Sequence, residues 1–130
     1  MTVKIRVYYE DTDCGNVVYY ANYLKYMERS RTELLRERGI ELAHFHQKGY
    51  LFAVVEAHVK YRAPARYNDL LDVDSTVIDM SSVSLTFKTI IKNQNGDVLT
   101  TGRIKLACLN RDGKATRIPD EIAEQFMTAC

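Results

Sequence analysis

The chain has 130 residues, of which 46% are hydrophobic and 27% are charged, and its formal net charge is +1. This length suits one domain with a sizeable core, over residues 1–130, and the composition argues against disorder. The balanced charge excludes the concentrated positive field expected of a nucleic-acid-binding protein. No apolar run reaches the length of a membrane span, and an alternating pattern that begins at once leaves no room for a signal peptide.

The cysteines indicate the redox setting. Cys14, Cys108 and Cys130 are odd in number, widely spaced and without a CxxC pair. This usage favours reduced thiols, so we expect a soluble cytoplasmic protein.

The first third of the chain predicts a strand, a turn and a long helix. Residues 3–10 alternate between apolar and polar side chains, with Val3, Ile5, Val7 and Tyr9 on one face, as in a half-buried strand. The polar run at 11–16 has turn chemistry. A helical stripe then predicts a helix over about 20–38, which ends at a C-terminal glycine. Its members are Tyr20, Tyr23, Leu24, Met27, Leu34 and Leu35, with Ser30 as a small residue among them.

The remainder predicts four further strands. Residues 41–48 suit either a short helix or a loop. Alternating patterns then predict strands over about 53–61, 71–77, 83–91 and 98–108, and a short helix from 119. Pro64 ends the first of these strands, and Asn95-Gly96 predicts a hairpin turn. The order predicts an α+β fold with an antiparallel five-stranded sheet wrapped around one long central helix. The other face also carries apolar residues, so we expect it to seek a partner subunit.

The most informative segment runs from Tyr8 to Tyr23. It places the carboxylate of Asp13 in a tight turn, seven residues before the predicted helix start. A helix start presents unpaired N–H groups and a partial positive charge. A carboxylate that faces such an end can attack a carbonyl while the N–H groups stabilise the oxyanion. The alternative is a turn or capping role for Asp13, the role we assign to its neighbour Asp11.

Three motifs carry a resemblance to a known family. The pattern Tyr-Glu-Asp-Thr-Asp-x-Gly-x-Val-Val-Tyr-Tyr-x-Asn-Tyr over residues 9–23 is followed by Glu28-Arg29-x-Arg31-x-Glu33, and later by Tyr61-Arg62-Ala63-Pro64-Ala65 with Asp69-Leu70-Leu71. This chain resembles the hotdog-fold acyl-CoA thioesterases of the 4-hydroxybenzoyl-CoA thioesterase type, and within them the YbgC-like branch. The resemblance spans nearly the whole chain. It implies a hotdog fold that assembles as a homodimer or homotetramer, with active sites at the dimer interface.

The resemblance implies a hydrolase that releases free acid and coenzyme A from an acyl-CoA substrate. The family's catalytic carboxylate maps onto Asp13, as nucleophile or as general base, and its oxyanion donor maps onto the backbone N–H of Tyr20. Many YbgC-like members have histidine at the position of Tyr20, but a backbone donor survives a change of side chain. Neither mechanism needs a metal or redox cofactor.

Two rival functions belong to the same fold. One is a non-catalytic module that senses acyl-CoA or scaffolds an envelope complex, and an intact Asp13 argues against it. The other is a dehydratase, which needs a histidine base near the central helix, and residues 17–38 contain none.

The sequence contains other reactive side chains besides Asp13. Cys14 suits a thiol nucleophile or a small space-filling residue, and we favour the second because no histidine base is near in sequence. His44, His46 and His58 lack the spacing of a metal site. Coenzyme A carries phosphates, so basic residues should line the mouth of the site. Arg62, Lys88 and Arg117 are the candidates by their position near strand ends or on the polar face.

Overall fold

The computed structural model describes residues 2–127, so Met1 and residues 128–130, with Cys130, lie outside the described part. The elements in chain order are β1 (Thr2–Arg6), α1 (Asn22–Glu37), α2 (Leu42–Gln47), β2 (Leu51–Tyr61), β3 (Leu70–Met80), β4 (Ser84–Lys92), β5 (Val98–Leu109) and α3 (Asp120–Met127). None of the helices in this part has the length and apolar composition that crossing a lipid bilayer requires.

The five strands form one antiparallel sheet in the order β1-β3-β4-β5-β2. Helix α1 lies on one face of this sheet and contacts β3, β1 and β4. Since β1 and β2 are the two edge strands, α1 connects opposite edges and the sheet curves around it. The prediction of an α+β hotdog fold is confirmed.

The segment around Tyr9 differs from the sequence prediction. Strand β1 ends at Arg6, and Tyr9–Asp11 form a single 3-10 turn. This turn breaks the alternation of the strand, so the side chain of Tyr9 is 74% exposed and the prediction that it faces inward is wrong. Residues 42–47, for which helix and loop were both open, form the short helix α2.

The buried stripe of α1 differs from the predicted one near the start of the helix, where it contains Tyr26 and lacks Tyr20 and Leu24. Its buried members are Tyr23, Tyr26, Met27, Ser30, Leu34 and Leu35. Leu24 is exposed, and Tyr20 precedes the helix and is exposed too, so both were wrongly placed in the stripe. As predicted, Gly39 follows the helix, with the left-handed φ of 79° that favours glycine.

Small residues let α1 approach the sheet closely. A β-carbon added at Gly102 on β5 would lie 2.7 Å from the sulfur of Met27, so any larger residue there would require the Met27 side chain to shift. One turn further along the same helix face, Ser30 contacts the sheet through hydrogen bonds to the Val73 carbonyl (3.2 Å) and to the Ser75 hydroxyl (2.7 Å). A further 2.7 Å hydrogen bond joins Ser75 to Thr89. We call Ser30, Ser75 and Thr89 the buried hydroxyl chain.

The face of the sheet away from α1 is mainly polar across β4 and β5, with a few apolar side chains such as Ile90 among the charged ones. The side chains that β4 and β5 place there include Thr86, Lys88, Ile90, Lys92, Arg103 and Lys105. Four of the exposed apolar side chains lie on edge strand β2, at Leu51, Val54, Val55 and Tyr61. Val54 and Tyr61 pair with the buried Leu106 and Thr100, so these two side chains are on the helix side of the sheet, whereas Leu51 pairs with Leu109 on the open face.

Candidate active site

Asp13 lies at the tip of a small hairpin between β1 and α1. A bridge pairs Thr12 with Val18, and the Asp13 N–H donates to the Val17 carbonyl (2.9 Å). The Asn16 N–H donates back to the Asp13 carbonyl (3.1 Å), with Asn16 in the left-handed region at φ 62°. Asparagine tolerates this conformation better than most residues. These hydrogen bonds therefore hold the backbone of Asp13 in place while its side chain stays exposed.

One oxygen of the Asp13 carboxylate has a fixed partner and the other is open. The Gly15 N–H donates to Asp13 Oδ1 (2.8 Å), and no group in residues 2–127 donates a hydrogen bond to Oδ2. A β-carbon at Gly15 would lie 3.2 Å from Oδ1, tighter than ordinary contact, so glycine gives the carboxylate its room. The side chain is thus oriented by one hydrogen bond and retains an oxygen for chemistry.

Asp11, in contrast, accepts hydrogen bonds through its backbone carbonyl as well as its side chain. Its carboxylate accepts the Tyr8 N–H (2.9 Å). Its carbonyl accepts both the Tyr19 N–H (2.9 Å) and the Asn22 side-chain amide (2.8 Å). The predicted role of Asp11 in turn hydrogen bonding is confirmed, and these bonds tie the start of α1 to the hairpin that carries Asp13.

Tyr20 lies in the turn just before α1. The helix begins at Asn22, two residues later than predicted, and the Tyr20 carbonyl accepts the Tyr23 N–H (3.4 Å). No atom of residues 2–127 accepts a hydrogen bond from the Tyr20 N–H. The Tyr20 side chain is 62% exposed, and its ring centroid lies 4.7 Å from that of Tyr19. The segment therefore presents a free backbone donor at the amino end of a 16-residue helix, where the dipole favours negative charge.

Tyrosines join this helix start to the end of β2. The Tyr61 hydroxyl donates to the Tyr20 carbonyl (3.2 Å), and the Tyr61 ring lies 5.3 Å from the Tyr23 ring. The Tyr23 hydroxyl accepts the Ala65 N–H (2.9 Å). Burial raises the pKa of Tyr23 and of Tyr61, so both remain neutral hydrogen-bonding groups. The sequence placed Tyr61 on a strand and in a family motif, but it did not predict the contact of its hydroxyl with Tyr20.

The three basic residues predicted to contact coenzyme A lie in two places. Arg62 and Lys88 line one cavity of about 240 Å³ on the open face of the sheet. His58, Lys60 and Arg103, which sequence reasoning did not select, line the same cavity. Arg117 is not among its lining residues and faces Asp120 at 3.5 Å, just before α3.

The remaining reactive side chains show no assembled site. Cys14 is exposed beside Asp13, so the space-filling role expected for it is wrong. Burial raises the pKa of the Cys108 thiol, which lies in the core. Within residues 2–127, no three histidine, cysteine or carboxylate side chains gather in a way that could hold a metal ion.

Comparison with known proteins places this geometry among thioesterases. A family model described as the thioesterase-like superfamily matches residues 7–126. The acyl-CoA thioester hydrolase YbgC of Escherichia coli O6:H1 is 36% identical over 128 residues, covering 94% of this chain and 92% of that protein. The acyl-CoA thioesterase YbgC of Haemophilus influenzae is 33% identical over 124 residues, covering 94% of this chain and 90% of that protein.

A solved structure agrees in fold over almost the whole chain. The DHNA-CoA thioesterase of Staphylococcus aureus superimposes with a TM-score of 0.94 at 25% identity, covering 98% of this chain and 89% of that one.

Proposed function

The chain belongs to the thioesterase-like superfamily and is a thioester hydrolase, and from this premise we propose that its substrates are acyl-CoA thioesters. The observation that carries the proposal is that one hairpin-to-helix segment presents both an Asp13 carboxylate oxygen and a Tyr20 backbone N–H that have no hydrogen-bond partner. The names of the two YbgC relatives support acyl-CoA as the substrate class.

Asp13 supplies the reacting oxygen by one of two routes. As a nucleophile it attacks the thioester carbonyl carbon, the carbon–sulfur bond breaks, and water then hydrolyses the mixed anhydride. As a general base it takes a proton from water, and the resulting hydroxide attacks the same carbon. In both routes the sulfur leaves as a thiolate that picks up a proton, and the products are the free acid and coenzyme A.

The Tyr20 N–H has the complementary role of oxyanion donor. Negative charge develops on the thioester oxygen as the carbon becomes tetrahedral, and the free N–H and the amino end of α1 both stabilise that charge. A single oxyanion donor contributes about a hundredfold or more to turnover. The Asn22–Asp11 hydrogen bond (2.8 Å) holds this donor beside the Asp13 hairpin before any substrate binds.

The proposal includes a homo-oligomer, a dimer or a tetramer, in the cytoplasm. Edge strand β2 has 11 residues, and its exposed apolar side chains would stay wet in a monomer. A second copy that covers this edge would bury them beside the Tyr61–Tyr20 contact. Free thiols at Cys14 and Cys108 support a reducing compartment. Light scattering at micromolar concentration should give at least twice the chain mass, and a monomer with full activity would contradict the shared-interface site.

The decisive test is thiol release from a panel of acyl-CoA thioesters, both aliphatic and aromatic. We expect the purified protein to hydrolyse at least one class with saturation kinetics. The rival module of the same fold would bind acyl-CoA with no thiol release, and that result would overturn the catalytic proposal. A dehydratase has little support, because the sequence of α1 contains no histidine.

A further inference from the structure

The turn that carries the free N–H of Tyr20 is only loosely closed by its own hydrogen bonds. Helix α1 begins at Asn22, so Tyr20 lies outside the regular hydrogen bonding of the helix. The Tyr20 carbonyl accepts the Tyr23 N–H at 3.4 Å, which is long for such a bond. Asp11 binds the residues on either side, Tyr19 and Asn22, but not Tyr20 itself. The direction of the Tyr20 N–H therefore depends on a further contact.

The hydroxyl of Tyr61 provides that contact. It donates to the Tyr20 carbonyl at 3.2 Å, so it supplies the shorter of the two hydrogen bonds that this carbonyl accepts. Tyr61 is the last residue of edge strand β2 and is separated from Tyr20 by 41 positions in sequence. The sheet thus holds the turn from outside the hairpin-to-helix segment.

The Tyr61 side chain is itself held in place. The two N–H groups that follow it, of Arg62 and Ala63, both donate to the Leu99 carbonyl, at 2.8 Å and 3.2 Å, and anchor the end of β2 to β5. The Tyr61 ring packs edge-on against the ring of Tyr23, with 5.3 Å between the centroids, and Tyr23 is buried in the core. The hydroxyl therefore reaches the Tyr20 carbonyl from a rigid base.

Other hydrogen bonds attach the same end of β2 to the hairpin without involving Tyr20. The Tyr23 hydroxyl accepts the Ala65 N–H (2.9 Å), and the Ala65 carbonyl accepts the Val18 N–H (2.9 Å). These two bonds do not depend on the Tyr61 hydroxyl. Its removal should therefore leave the hairpin attached to the sheet and release only the turn at Tyr20.

We propose that Tyr61 is a positioning residue whose hydroxyl fixes the turn that directs the Tyr20 N–H, an assignment that rests on the proposed function. An oxyanion donor is effective because its direction is set before charge develops on the substrate oxygen. Tyr61 acts through the backbone of Tyr20 and has no contact with the reacting atoms. A donor that is present but poorly directed keeps part of its effect, so the loss should be smaller than that of the donor itself.

The first experiment compares Tyr61→Phe with the matched control Tyr67→Phe. Both tyrosines are about half exposed, at 47% and 50%, but the Tyr67 ring contacts Tyr9 rather than the helix start. With the best acyl-CoA substrate, we expect kcat to fall about tenfold in Tyr61→Phe while KM stays within about twofold, because the contact acts on the transition state. The control should keep both constants within about twofold. An unchanged kcat in Tyr61→Phe would overturn the proposal.

A double-variant cycle separates positioning from general support of the fold. In the Tyr20→Pro protein the N–H is absent, so adding Tyr61→Phe should lower kcat by less than about twofold. A further tenfold loss in the double variant would overturn the proposal, because the hydroxyl would then act independently of the donor. Equal oligomer mass and circular dichroism of all variants exclude misfolding.

A measurement without substrate tests the positioning role separately from the proposed function. We expect the NMR order parameter of the Tyr20 N–H to fall from about 0.85, the value of rigid backbone, towards about 0.6 in Tyr61→Phe and to stay unchanged in Tyr67→Phe. The same order parameter in wild type and Tyr61→Phe would overturn the proposal. A wild type that hydrolyses no thioester would reject the proposed function, and the order parameter alone would then decide whether Tyr61 fixes the turn.

Discussion

Two sets of polar groups beside α1 differ in burial and in hydrogen bonding. In the buried hydroxyl chain, Ser75 shares hydrogen bonds of 2.7 Å with both Ser30 and Thr89, and Ser30 also donates to a carbonyl. In the exposed hairpin, Asp13 keeps one open oxygen and Tyr20 keeps an unpaired N–H. Water satisfies exposed groups until a substrate replaces it, whereas a buried group without a partner costs about 1–3 kcal/mol. The structural polar groups are therefore hydrogen-bonded to one another in the core, whereas the candidate catalytic groups are free at the surface.

The largest effect should come from Asp13→Asn. Asparagine can still accept the Gly15 N–H, so we expect normal folding, with turnover lower by about two to four orders of magnitude because the base or nucleophile is lost. Thiol release from the best acyl-CoA measures the effect. The matched control is Asp11→Asn, which keeps the acceptor for Tyr8 and should lose far less. Near-normal turnover in Asp13→Asn would refute the mechanism.

A substitution in the buried hydroxyl chain should lower stability and leave turnover nearly unchanged. Ser75→Ala leaves the Thr89 hydroxyl without its partner in the core, so we expect the free energy of unfolding to fall by about 1–3 kcal/mol. The turnover number of the folded protein should stay within about twofold. Urea unfolding measures the loss, with Thr76→Ala on the exposed face of the same strand as control, expected within about 0.5 kcal/mol of wild type. Unchanged stability in Ser75→Ala would contradict a structural role for the chain.

A smaller effect is expected from Tyr20→Phe. The phenol is largely exposed and the proposed donor is the backbone N–H, so turnover should stay within about tenfold of wild type. Tyr20→Pro removes the N–H itself and should cost about a hundredfold or more, provided that the oligomer is intact. If turnover in Tyr20→Phe were as low as in Asp13→Asn, the phenol itself would take part in the reaction and the backbone N–H assignment would be wrong.

Tyr26→Phe tests one of the two buried side-chain groups that lack a hydrogen-bond partner within residues 2–127, the other being the Thr100 hydroxyl. The Tyr26 hydroxyl is buried, and no group in residues 2–127 forms a hydrogen bond with it. Burial, and then the nearby Asp11 carboxylate, raise the pKa of Tyr26, so folding favours the neutral phenol. Stability from this group is complete below the unfolded pKa of about 10 and is lost as the pH rises towards the folded value. Phenylalanine should therefore match wild type or exceed it by up to about 1 kcal/mol at pH 7, and by more at pH 11.

Urea unfolding at pH 7 and pH 11 checks this expectation. The other tyrosines with raised pKa values, Tyr19, Tyr23 and Tyr61, leave some alkaline sensitivity in both proteins. A Tyr26→Phe protein that is less stable than wild type at pH 7 would indicate that the hydroxyl has a partner after all.

Local chemistry in the sequence was enough to identify the order of elements and the turn around Asp13. Apolar alternation and the 3.6-residue period depend on neighbours a few positions away, so they predicted the strands, α1 and the glycine at its end. They failed where a local turn interrupted the period, at Tyr9, and where the helix began later than its stripe, at Tyr20 and Leu24.

Tertiary structure alone decided which distant groups meet. The Tyr61–Tyr20 hydrogen bond joins residues 41 positions apart, and the positions of His58 and Lys88 directly opposite Arg103 depend on the register of β2, β5 and β4. Sequence patterns identify which face of a strand a residue occupies, but register follows from the packing of the whole sheet against α1. For this reason the turn that carries Asp13 could be predicted from the sequence. The meeting of Arg62 and Lys88 in one cavity, which Arg117 does not line, could not.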